Sequence, residues 1–349
     1  MILINGSFLG RRLNGIERYA YEITRRLDEI CKQNEIAIIV PKNINIPEYR
    51  NLKVIRYGKK IQNVIWQMCI LQWFLVTRRK YTILEFGNTA LPFSPGIVFL
   101  HDIYCENFAE DFSHLMDKIV RCYNRFQYRL ITNISKQIFT VSEFSKNEIS
   151  KTFKIPPSRI NIIYSSADHI QYITPDMSVF NDFPILNDKP FFFSLGSLSK
   201  RKNINWIIEY AKKKPESFFA ISGTSLPTVK INNLDNLAIN NIIFLGYLDD
   251  RKVKALMIKC KAFILPSYYE GFGLTPLEAL SCGAKSIVAK AASLPEIYKN
   301  TVHYIDPFNT DIDLEELLKE PVENPDEILL KYSYDKSAAK LYNFINTNK

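Results

Sequence analysis

Short β-rich runs alternate with helical stretches along almost the whole chain, and no other feature restricts its fold so tightly. Apolar runs lie at Ile36–Val40, Tyr81–Phe86, Ile97–His101, Gln137–Val141 and Ile160–Tyr164. Helical periodicity fills the gaps at Gly15–Cys31, Ile61–Arg79, Ser113–Ile134 and Glu143–Thr152. The alternation resumes with strand Phe191–Leu195, helix Ile204–Lys213, strands Phe218–Ser222 and Ile242–Leu245, and helix Arg251–Cys260. Strand Ala262–Pro266, helix Thr275–Ser281 and strand Lys285–Ala289 follow. Strands alternating with helices predict parallel sheets covered by helices on both faces. The stretch Asp168–Lys189, rich in Pro, Asp and Asn and without period, reads as a linker. At 349 residues the chain is expected to form two domains. The predicted architecture is therefore α/β, two Rossmann-like doubly wound domains facing a central cleft, at 1–175 and 176–330, with a final helix over 331–349 packing back toward the first. Ligands in such sheets bind outside the carboxyl ends of the strands.

Composition narrows the function classes. Apolar residues make up 47% and charged residues 23%, as in an ordinary soluble globular protein rather than a disordered one. The six cysteines contain no CxxC pair, and none of the four histidines stands at metal-ligand spacing from one. A reduced compartment, no disulfide framework and no metal site are expected. The first residues, Met-Ile-Leu-Ile-Asn-Gly-Ser, do not read as a signal peptide, so a cytoplasmic location is expected. Charge is uneven: residues 1–180 carry 24 Lys and Arg against 16 Asp and Glu, while residues 181–349 carry 21 against 20. A basic first half points to an anionic partner. Nucleic acid is the weakest candidate, because no recognition motif is present and the charges lack interleaved aromatic platforms.

Ile61–Val76 is nearly apolar and flanked by Lys59, Lys60, Arg78, Arg79 and Lys80. It falls short of the roughly 20 apolar residues of a membrane span, so it reads as a helix buried against the first sheet, with an interfacial helix as the alternative.

The most informative stretch for chemistry runs from Cys260 to Gly283. A strand ends near Pro266, a loop holds Glu270, and Gly271-Phe272-Gly273 leads into a helix that begins near Pro276. Glycines let backbone approach a ligand, and a helix N-terminus offers N–H groups and positive dipole charge to an anion. Glu270 and Glu278 bracket this junction, and carboxylates accept hydrogen bonds from sugar and ribose hydroxyls. They lie across a loop-to-helix boundary, so each can serve a different part of one extended ligand. On spacing alone, a cap and a helix-surface charge explain them equally well.

Glu270-x7-Glu278, with its Gly-Phe-Gly-Leu-x-Pro-Leu-Glu interior, resembles the signature of the family-four (group-one) retaining glycosyltransferases of GT-B architecture. Leu195-Gly-Ser-Leu-Ser-Lys-Arg-Lys-Asn203 resembles that family's diphosphate-binding segment, and Ala291-Ala-Ser-Leu-Pro-Glu296 its segment near the donor. In the first half, Asn14-Gly-Ile-Glu-Arg-Tyr19, His101-Asp102 and Val141-Ser-Glu-Phe-Ser145 match its landmarks in order. The resemblance spans residues 1 to about 310.

It implies an acceptor-binding first domain, a donor-binding second domain and a metal-independent hexosyltransferase without cofactor. Glu270 would contact the transferred sugar, and the backbone of Gly271, Phe272, Gly273 and Leu274 the sugar or diphosphate. Glu278 would bind the ribose, and Arg201 with Lys202 the diphosphate. Gly15 would let the first loop approach that phosphate, and His101 would sit by the reacting centre, making Glu270, His101 and Lys202 the catalytic set. Retention would follow from an oxocarbenium-like, same-face displacement in which the departing phosphate helps deprotonate the acceptor hydroxyl. Ser197 stands where many relatives have Arg, which leaves that work to Arg201 and Lys202. The expected donor is GDP-mannose or a UDP- or dTDP-sugar, and the expected acceptor a lipid-linked intermediate of O-antigen, capsule or another bacterial surface polysaccharide. Alternatives on this architecture are a sugar-nucleotide epimerase, a phosphorylase, or a catalytically silent sugar-nucleotide-binding protein.

Lys118, Arg121, Arg125 and Arg129 recur at three- and four-residue steps on the helix Ser113–Ile134 and share one face. That stripe is the candidate contact for an anionic membrane surface or a lipid-linked acceptor, on the inner face of the plasma membrane. A solvated helix face is the alternative.

Overall fold

The computed structural model describes residues 1–196, 199–223 and 240–347. The chain divides into two compact units. One comprises Met1–Ala109, Lys118–Ser165 and Tyr332–Lys349, the other Glu110–Asp117 and Ser166–Lys331.

The first unit is built on seven parallel strands: β1 (Ile2–Asn5), β2 (Ile36–Val40), β3 (Lys53–Arg56), β4 (Thr82–Glu85), β5 (Ile97–Phe99), β6 (Gln137–Thr140) and β7 (Ile160–Ile162). Their spatial order is β3-β2-β1-β4-β5-β6-β7. β1, which the periodicity did not single out, is four fully buried residues at the centre of the sheet, paired with β2 and β4. Helix Gly15–Ile30 buries Tyr19, Ile23 and Leu27, and its Tyr19 hydroxyl donates to Ile163 O at 3.0 Å. The final helix, Tyr334–Thr347, packs on it. Arg26, 3% exposed, joins the two by pairing with Glu22 at 2.5 Å and Asp335 at 2.7 Å.

Ile61–Arg79 is broken into Asn63–Ile65, a π-helical stretch Trp66–Leu71 and Gln72–Thr77. Trp66, Leu71, Phe74 and Leu75 enter a core with Leu3, Ile39 and Ile83, while Trp73 is 64% exposed. The widened turn changes which residues face the sheet, a usual consequence of a π-bulge.

The second unit has six parallel strands: β8 (Phe191–Leu195), β9 (Phe218–Ser222), β10 (Ile242–Gly246), β11 (Ala262–Leu265), β12 (Ser286–Ala289) and β13 (His303–Ile305). Their order is β10-β9-β8-β11-β12-β13. Its core gathers Phe192, Trp206, Tyr210, Phe219, Ile264 and Ile287. The 175/176 boundary requires correction: residues 166–175 belong to the second unit, because the short helix Asp168–Tyr172 packs on Leu274–Ser281. The stretch read as a linker is likewise partly helical, at Val179–Asp182 and Ile185–Asp188, and it buries Val179, Phe180 and Leu186. Pro184 precedes the second of these helices, and Asn187 Nδ2 ties it to the first by donating to Phe180 O at 3.0 Å.

Both sheets reverse their winding direction once. In the first unit this occurs between β1 and β4, in the second between β8 and β11. Such switch points are where doubly wound sheets bind ligands, because the crossovers leave in opposite directions and open a crevice.

Candidate active site

The second unit's switch point gathers most of the residues singled out from sequence. β8 ends at Leu195, Gly196 follows at φ +156°, and Ser197 lies outside the described residues. Lys200–Lys202 form a 3-10 turn that stops at Asn203, whose left-handed backbone (φ 56°) starts helix Ile204–Lys213. Asn203 Nδ2 donates to Pro266 O at 3.1 Å and Pro307 O at 2.7 Å, and Tyr268 N donates to Arg201 O at 3.1 Å. These bonds lash the basic turn to the loop after β11. Lys202 Nζ consequently donates to Glu270 Oε1 at 2.7 Å, and Arg201 Nη1 stands 4.0 Å from Glu270 Oε2.

The Glu270 side chain is 7% exposed. Burial pushes its carboxyl up, but the nearby charges of Lys202 and Arg201 and the Lys202 hydrogen bond outweigh that and hold it below the usual carboxylate range. Its loop is held from behind. Ser293 Oγ donates to Glu270 O at 2.9 Å, and the Tyr298 hydroxyl donates to Gly273 O. Gly273 takes φ +81° as the residue before helix Leu274–Ser281, and a Cβ there would lie 2.4 Å from Leu294 Cδ2. Only glycine meets both conditions. The Ser-Leu-Pro-Glu segment thus shapes the glycine loop from its protein side. No side chain caps this helix's first turn.

Glu278 lies in the same helix and is 8% exposed, which rules out a surface charge. Its Oε1 is 3.1 Å from His169 Nε2. Sequence reasoning did not single out His169. It sits in the stretch read as linker, and only the packing of Asp168–Tyr172 on the motif helix brings it to Glu278.

Gly15 and His101 belong to the first unit. Gly15 opens the first helix, and a Cβ there would meet nothing within 4 Å, so packing within the unit does not demand glycine. His101 is 7% exposed, and its Nε2 is 2.8 Å from Phe86 O. A carbonyl only accepts, so Nε2 carries the proton and Nδ1 the lone pair. Burial lowers the His101 pKa, against smaller upward contributions from that hydrogen bond and Asp102, so the ring is neutral near neutral pH.

The basic stripe is less available than its spacing suggests. In helix Leu115–Ile134, Arg121 Nε donates to Cys105 O at 2.9 Å. Arg125 and Arg129 both pair with Glu106, at 2.7 Å and 3.1 Å. Lys118 is exposed. So are Leu115, Met116, Ile119, Val120 and Phe126, between 49% and 74%. Among the described residues no helix is long and apolar enough to cross a membrane.

Residues 13–169 match the profile "Glycosyltransferase Family 4", and residues 178–339 match "Glycosyl transferases group 1". The chain is 21% identical to the O-antigen chain mannosyltransferase RfbU of Salmonella typhimurium, with all of both chains covered. It is 26% identical to O-antigen chain mannosyltransferase B of Escherichia coli, over 86% of this chain and 84% of that one. Sucrose-phosphate synthase from Thermosynechococcus elongatus superposes with TM-score 0.75 at 15% identity, covering 100% of this chain and 99% of that one. Anabaena HepE in complex with UDP-glucose superposes with TM-score 0.73 at 16% identity, covering 99% of both. At such identities these structures speak for the GT-B fold alone. Two profiles that between them take in every strand of the two sheets except β1 make this chain a member of the family-four, group-one glycosyltransferases.

Proposed function

We propose that the chain transfers a hexose, with retention and without a metal ion, from a nucleoside-diphosphate sugar to a glycan acceptor in bacterial surface polysaccharide synthesis. The observation that carries this reading is the buried Glu270 carboxylate, held by Lys202 and Arg201 at the head of the uncapped helix that also carries Glu278. Lys202 has three N–H donors, so it can keep Glu270 and still meet a diphosphate oxygen. As the glycosidic bond breaks, negative charge grows on the leaving diphosphate, and Lys202, Arg201 and the helix N-terminus stabilise it. Glu270 accepts from hydroxyls of the transferred sugar, Glu278 from those of the ribose, and the neutral His101 serves the acceptor side. The departing phosphate takes the acceptor proton on the same face. The names of the two aligned relatives favour mannose as the transferred sugar. A surface-glycan acceptor fits peripheral binding at the inner face of the plasma membrane, with Leu115, Met116, Ile119 and Val120 entering the headgroup region and Lys118 meeting anionic lipid.

The test is a melting screen with GDP-mannose and with UDP- and dTDP-sugars, followed by transfer assays with and without EDTA. A ligand at 100 times its Kd stabilises by about 2.7 kcal/mol. No nucleotide sugar raising the melting temperature, or turnover that needs phosphate instead of a nucleotide, overturns the donor assignment. Turnover lost to EDTA and restored by magnesium overturns the metal-free mechanism.

A further inference from the structure

The first unit's switch point is also occupied by chemistry, none of which the donor site uses. Glu85 ends β4, and Asn5 ends the neighbouring β1. The Glu85 carboxyl is 1% exposed, and Asn5 Nδ2 donates to both of its oxygens at 2.8 Å. Asn5 is itself fixed, because its Oδ1 accepts from Ser7 N at 3.1 Å, and Gln67 Nε2 donates to Ser7 Oγ at 3.1 Å. Four buried polar side chains therefore form one network at the carboxyl end of the central strands. They line a cavity of about 190 Å³ whose wall also includes Glu17 and Tyr123.

A carboxyl buried at this depth with one amide partner destabilises the unit, and an apolar residue would fill the place at less cost. Such groups concentrate in ligand sites. The chemistry of the cavity selects the ligand. Its one guanidinium, Arg11, is already paired with Glu17 at 2.7 Å, so two acids face one base and an anion is disfavoured. Amide, hydroxyl and carboxyl groups all line the wall, which suits a neutral molecule with several hydroxyls. Phe8 and Phe86 supply an apolar face for the C–H side of a ring. At roughly 30 Å³ for each water, the volume holds about six, well under the roughly 300–1,000 Å³ of sites for drug-sized ligands.

We propose that this pocket seats one monosaccharide unit of the acceptor glycan, and that Glu85 is the residue that reads its hydroxyls. The proposal rests on the glycosyltransferase reading above. It adds the place and the selecting residue on the acceptor side. Burial pushes the Glu85 carboxyl up to about 8, against the opposing Asn5 hydrogen bond, so at neutral pH it can both donate and accept. A site that hydrogen-bonds a particular hydroxyl rejects the sugar lacking it, because its own buried groups then go unpaired.

Saturation-transfer NMR on the full chain tests this, with methyl α-mannoside, methyl α-galactoside, methyl α-rhamnoside and N-acetylglucosamine as probes. At least one should bind. Glu85→Gln should weaken it about tenfold or more, and Tyr123→Phe, which leaves the Asn5–Glu85 pair intact, by a smaller factor. Inorganic phosphate should not compete. No probe binding, one whose Kd neither variant changes, or displacement by phosphate overturns the proposal. The Kd for free GDP or UDP, measured on the same samples, keeps the two readings apart: saccharide binding without nucleotide binding sinks the donor assignment and leaves the pocket, and the reverse sinks the pocket alone.

Discussion

Lys202 Nζ and Glu270 Oε1 are 2.7 Å apart, with both side chains largely withdrawn from solvent. The two residues expected to hold opposite ends of the donor hold each other. Under the proposed function, the pair would pre-place the cation where diphosphate charge develops and keep the carboxylate ionised where sugar hydroxyls are read.

Lys202→Ala should lower transfer by about 10²–10³-fold, in line with loss of a preorganised charge contact. It also strands a buried carboxylate, which costs on the order of 3–5 kcal/mol in folding stability. The double variant Lys202→Met/Glu270→Gln separates the two effects. Urea unfolding should show stability recovered while transfer stays lost, and recovery of both would remove Lys202 from the chemistry.

Glu278→Ala should weaken binding of the free nucleoside diphosphate in calorimetric titration, whereas Glu270→Ala should act mainly on turnover. Because His169 Nε2 stands 3.1 Å from Glu278 Oε1, His169→Ala should weaken the same binding by a smaller factor. In the double variant the losses should not add. Additive losses would mean that His169 does not position Glu278.

The Glu270 pair also predicts acid sensitivity. A carboxyl held below its unfolded value contributes stability that is present above that unfolded value and lost as pH falls through the folded one. Glu85 behaves oppositely. Its folded value of about 8 lies above the unfolded one, so its contribution is complete at acid pH and declines as pH rises toward 8, by up to about 1.4 kcal/mol per pH unit. Arg11, Glu17 and Tyr123 are the other ionisable side chains facing the same cavity. Glu85→Gln should flatten the stability profile between pH 5 and 8 in urea unfolding. An unchanged slope would place the proton elsewhere.

For membrane binding, Ile119→Asp/Val120→Asp should abolish sedimentation with anionic vesicles and leave nucleotide affinity intact. Lys118→Glu should weaken sedimentation most at low salt, because screening shortens the reach of charge to about 8 Å at physiological ionic strength. Arg125→Glu should instead disturb the fold by breaking the Glu106 pair. Equal sedimentation of wild type and the double Asp variant would dismiss this helix as a membrane contact.

The sequence by itself determined the parallel α/β layering, because strand and helix periods are set by residues within one or two turns of each other. It also marked the Glu270–Glu278 junction, whose glycines, proline and carboxylates lie in one short segment. Tertiary structure alone decided which charges are spent internally. Lys202 and Glu270 are 68 positions apart and Asn5 and Glu85 are 80 apart, and each pair meets only because crossovers bring neighbouring strand ends together. The same holds for Glu106, which takes up Arg125 and Arg129 and leaves an apolar patch exposed on a helix whose spacing had advertised charge. It holds for His169, which sits in a segment whose composition read as linker. Local spacing shows which side chains share a face, but their partners depend on how the sheet closes, which no short window of sequence contains.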